Sequence, residues 1–150
     1  MRYLTLGYYV ICLSPLLSML FYFSPKLLIG RGSCGYLGLQ TLVIFVQVCG
    51  VVLYLVGHRT TELSSKTAPY ILLSGILLIL WGLFITWYVI RVYDWMLRLY
   101  SYKMDFTFCG QGVYVAEGLK GLLWVASGLM LIITRIIHEF RRSKDLTESA

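Results

Sequence analysis

Charge is scarce in this chain. Of its 150 residues only 13% are Asp, Glu, Lys or Arg, about half the share of an ordinary soluble domain. Hydrophobic residues make up 59%, and the mean hydropathy is +0.77. A water-soluble fold of this length cannot hide so much apolar surface, whereas a helical membrane bundle leaves it against lipid. The apolar stretches are continuous and do not alternate, which excludes a lipid-spanning barrel.

Histidine is nearly missing too: His58 and His138 are the two present. Neither falls at mid-membrane depth, so no serine has a base in reach and nucleophilic hydrolysis is set aside. There is no Cys/His box with metal-ligand spacing. The run Gly30-Arg31-Gly32-Ser33 lacks the strand, the lysine and the helix start of a phosphate loop. Four-span glutathione-using enzymes carry arginine and glutamate on their second helix; here that helix carries neither. The chain is read as a non-enzyme.

What is present is a set of long apolar runs. Tyr70 to Ile90 reads YILLSGILLILWGLFITWYVI without a charge, and as a helix it spans roughly 30 Å, the thickness of a hydrocarbon core. Three more runs resemble it. The expected fold is all-α, a four-helix transmembrane bundle in one domain. Its spans lie at about 3–23, 36–57, 69–92 and 113–137, joined by short loops, with both termini on one side. The first run is read as an uncleaved anchor, because LLSMLFYFSP offers no small-x-small cleavage site. Pro15 removes a backbone donor and is expected to kink that span. Arg91, Asp94 and Arg98 alternate with aromatics, as either a helical extension or an interfacial amphipathic helix. The charged tail from His138 to Ala150 is expected to fray.

The net charge is +6 and the pI about 9.2. The basic residues flank the spans, so they serve as anchors and topology signals and not as a nucleic-acid surface. With four spans, the terminal side holds Arg2, Arg59, Lys66, Arg135, Arg141, Arg142 and Lys144, against Lys26, Arg31, Arg91, Arg98 and Lys103 opposite. That excess puts the termini in the cytosol. Cys34 and Cys109 then share the far side, where an oxidising lumen would let them pair; the bland reading is two free thiols. Which membrane holds the chain is left open.

Polar residues inside the spans are the candidate sites. Gln40 and Gln47 lie a heptad apart on one face, and Tyr54 continues the stripe. Glu117 and Lys120 are one turn apart near the start of span four, where an ion pair is a site by default. Gly75 and Gly82, and Gly118, Gly121 and Gly128, are small faces where helices meet closely. The leading reading is an accessory or structural subunit that packs against another membrane protein or against itself. The alternative is a small oligomeric transporter or channel using Glu117 and Lys120 with Gln40 and Gln47. A weaker alternative is a b-type haem carrier through His58 and His138. The layout resembles small tetraspan families such as the MARVEL type in its short chain, cytosolic ends and basic residues after span four.

Overall fold

The computed structural model describes residues 2–23, 33–60, 68–100 and 108–148, with side chains described within 3–20, 37–58, 69–92 and 112–144 except 113, 114 and 142. These residues form four helices: α1 (Arg2–Phe23), α2 (Ser33–Thr60), α3 (Ala68–Tyr100) and α4 (Phe108–Glu148). All four are long and apolar enough to cross a membrane, over Tyr3–Leu20, Leu37–His58, Pro69–Val92 and Val115–Arg141. Between 17% and 33% of each of those segments is buried; the rest is partly or fully exposed. The large exposed residues of the spans are mainly Leu, Ile, Val, Phe, Tyr and Trp, while Ser14, Ser18, Gln40, Gln47, Lys120, Ser127 and Arg135 are buried. Apolar outside and polar within is the arrangement that lipid, acting as solvent, selects.

Two helices run further than their apolar patterns. α3 continues through Arg91 to Tyr100 as one rod, a helical extension. α4 starts at Phe108 and runs past Ile137 to Glu148, so the tail to that point is helical. Residues 138–148 contain neither Gly nor Pro and are rich in Glu, Arg and Lys, which are good helix formers. The ion pair from Arg135 to Glu139 staples the passage.

α1 remains helical through Pro15. That proline cannot donate to the Ile11 carbonyl four residues back. The Ser14 hydroxyl stands 3.0 Å from the Ile11 oxygen and shares its single proton between that carbonyl and the Gln47 side-chain oxygen, a side-chain substitute of the kind that makes proline tolerable in lipid.

The tightest helix pairs are α3 with α4 and α1 with α2, followed by α2 with α4. The first two are antiparallel hairpins closed on glycine. A Cβ on Gly82 would lie 2.5 Å from the Gly121 carbonyl oxygen and 2.9 Å from the Val125 nitrogen. Gly75 and Gly128 repeat this one heptad away. A Cβ on Gly57 would run into the Leu4 backbone, and one on Gly7 into that of Tyr54. Leu4 against Gly57, and Tyr54 bonded to Thr134, place the start of α1, the end of α2 and the late part of α4 at one end of the bundle. Of the glycines expected on contact faces, Gly75, Gly82, Gly121 and Gly128 thus sit inside the chain's own packing, and Gly118 has open space over it. Cys34 and Cys109 lie outside the described side chains.

Gly82→Val should destabilise detergent-solubilised protein by about 1–3 kcal/mol, the usual cost of overpacking, because the obstruction is backbone. Gly118→Val should stay within about 0.5 kcal/mol. Thermal unfolding followed by circular dichroism distinguishes the two.

Candidate functional site

α2 and α4 run parallel in one strict register. Gln40 pairs with Lys120, Gln47 with Ser127 and Tyr54 with Thr134, each pair 80 residues apart. The heptad spacing of Gln40, Gln47 and Tyr54 on α2 is matched by that of Lys120, Ser127 and Thr134 on α4. Parallel helices whose buried residues recur every seven keep the same faces together along their length. The result is a polar seam through the middle of an apolar bundle.

At the first level lies the Lys120 ammonium. An ammonium has three N–H donors, and three acceptors meet them. The Glu117 carboxylate is 2.8 Å away, the Ser18 hydroxyl 2.8 Å away, and the Gln40 side-chain carbonyl closes the tripod. The Trp124 ring covers the charge, 5.6 Å from the nitrogen to the ring centroid, in the range of a cation–π contact. The Lys120 side chain is 1% exposed, while that of Glu117 keeps 17%. The pair foreseen from the one-turn spacing is therefore joined to α1 and α2 as well. The Gln40 side-chain nitrogen is buried without a partner among the described residues.

The second level is a directed chain of hydrogen bonds. Trp124 Nε1–H donates to Ser14 Oγ at 3.1 Å, and Ser14 Oγ is bonded to Gln47 Oε1. Gln47 Nε2–H then donates to Ser127 Oγ at 2.6 Å, and Ser127 donates to the Leu123 carbonyl at 2.7 Å. The chain leaves α4, crosses α1 and α2, and returns to α4. Its last acceptor is a main-chain carbonyl, which has no proton to pass on.

At the third level, near the terminal end, Tyr54 and Thr134 are 3.1 Å apart, and Thr134 Oγ1 lies 2.9 Å from the Met130 carbonyl. The Tyr54 ring stacks on His58 at 6.2 Å with an interplanar angle of 2°. His58 and His138 fall in the same 80-residue register. One turn from them, Tyr54 and Thr134 bring α2 and α4 into hydrogen-bond contact. Among the described residues no group of three or more His, Cys, Asp or Glu could hold a metal ion.

Trp124, Ser14, Ser18 and Ser127 were not singled out from the sequence. Their signal lay in two polar stripes of equal heptad spacing, read together with Ser14 and Ser18 on one face of the first span. Trp124 gave no signal, since a tryptophan in an apolar run reads as lipid-facing until its neighbours are known.

The polar seam, the apolar exterior and the four spanning helices define an integral, multi-pass helical membrane protein. Comparison with protein-family models, with curated proteins and with solved structures returned no match.

Lys120→Met removes all three donors and strands the Gln40 carbonyl in a dry interior. It should destabilise the bundle by about 1–3 kcal/mol, the cost of an unsatisfied buried polar group. Adding Glu117→Gln should recover part of that loss, with a coupling of about 0.5–3 kcal/mol in a double-mutant cycle. Zero coupling would mean that the two residues act independently.

Proposed function

We propose that this protein is a non-enzymatic membrane subunit that packs against a larger membrane protein or against further copies of itself, with its termini in the cytosol. The observation that supports this reading is that the polar seam is bonded within the bundle, the Gln40 side-chain nitrogen apart. The three donors of Lys120 meet three acceptors, and the chain through Gln47 ends in the Leu123 carbonyl. Polar groups bonded in this way hold helices together. The outward faces carry what a partner needs. Gly38 and Gly118 have open space above them, where a neighbouring helix can come close. Around Gly38, the outer face of α2 presents a shallow groove lined by Leu37, Thr41, Leu42 and Phe45.

A second reading, a small oligomeric transporter using Glu117 and Lys120 with Gln40 and Gln47, draws support from one feature. Glu117 is the cage member with an exposed edge, at 17%, so the ion pair lies within reach of the surface on one side.

On blue-native electrophoresis in mild detergent, the protein should migrate with a partner or as an oligomer, and Gly118→Leu should shift it toward the single bundle. Migration of the native chain as a lone bundle would count against the subunit reading. In reconstituted vesicles, Glu117→Gln with folding intact should leave ion flux unchanged; loss of a flux carried by the native protein would favour the transporter.

A further inference from the structure

Among the described residues, basic side chains outnumber acidic ones at the terminal end of the bundle. His138 and Arg141 on α4 both lie within electrostatic reach of His58 at the end of α2. Arg135 Nη1 stands 3.4 Å from His138 Nδ1. The acid described at this end, Glu139, is paired with Arg135. His58 Nδ1 is buried with no partner among the described residues. The segments of α1 and α3 that reach this end, residues 3–8 and 69–72, carry no charged side chain. A buried ring nitrogen without a partner, among cations that outnumber the acid, is a place for an anionic acceptor.

The surface beneath the cations says what carries that anion. Ile133, Ile137 and Arg141 lie four residues apart on α4, and side chains so spaced stack along one face of a helix. Ile133 is 52% exposed, Ile137 44%, and Phe140 beside them 77%. An apolar strip that ends in an arginine where the span ends fits an acyl chain below and a phosphate above. We propose that His58, His138 and Arg141 form a binding site for the headgroup phosphate of an anionic phospholipid in the leaflet at this end, its acyl chain lying along Ile133, Ile137 and Phe140. The site does not depend on which compartment that leaflet faces, nor on the subunit reading above.

Native mass spectrometry of the full chain tests this, with phosphatidylglycerol and phosphatidylcholine of identical acyl chains supplied in equal amounts. The protein should retain phosphatidylglycerol in clear preference. Arg141→Gln, a change at an exposed residue that leaves folding intact, should weaken retention about fivefold, the effect of one basic residue at a membrane surface. His58→Gln should weaken it as well, with unfolding temperature checked in parallel. Arg91→Gln, at the other end of the spans, should change nothing. Equal retention of the two lipids, or an equal loss in the Arg91 variant, would overturn the proposal. Displacement of phosphatidylglycerol by millimolar inorganic phosphate would overturn the lipid as its source.

Discussion

An ammonium in the interior of a membrane bundle is tolerated when each of its protons has an acceptor, and that requirement shapes much of this molecule. The cost of a bare charge in such a place runs to several kcal/mol. Lys120 meets it with a carboxylate from its own helix, a hydroxyl from α1 and an amide carbonyl from α2. Three helices must therefore converge at one level, and Trp124 closes the remaining side. Because the acceptors come from three helices, the cage forms only in one arrangement of them.

The seams divide the work. Within each hairpin, glycine lets two backbones approach until one stands where a Cβ of the other would be, and dispersion over many close contacts holds them. Between the hairpins, hydrogen bonds at heptad intervals fix the register of α2 against α4. Glycine contacts fix the offset within each hairpin, since a side chain slid into a glycine's place would meet opposing backbone. The polar rungs do the same between hairpins: slipping α2 against α4 by a single turn would strand a glutamine, a lysine and a tyrosine hydroxyl together.

The exterior follows from the interior. With the polar stripes of α1, α2 and α4 turned inward, most of the large exposed residues are leucines, isoleucines, valines and aromatics that face lipid. On α3, Phe84, Trp87 and Tyr88 form a run of ring contacts along the outer face, Phe84 also touches Trp81, which packs against the core, and Arg91 sits 5.9 Å over Trp87 where the span ends. Aromatic rings and a cation at that depth suit the headgroup boundary. α3 and α4 then continue beyond the apolar core, α4 as a rod of 41 residues, roughly 60 Å long and twice the thickness it has to cross.

The number of helices, their approximate spans and their medium were legible in composition and in uncharged length, because crossing hydrocarbon demands about twenty apolar residues with every backbone group bonded internally. The inward stripe of Gln40, Gln47 and Tyr54 could be read as well, since heptad spacing survives in one dimension. The same holds for the closeness of Glu117 and Lys120, a property of one helical turn. Which stripes meet was not legible: nothing in one dimension says that Lys120 faces Gln40 and Ser18, or that Trp124 turns inward and not to lipid. Nor could the glycines of α3 and α4 be told apart as inner or outer, for a small residue looks alike on either face. Those choices were made by the packing of two hairpins against each other, where register, and with it the partner of every buried polar group, is a property of the assembled bundle and of no single segment.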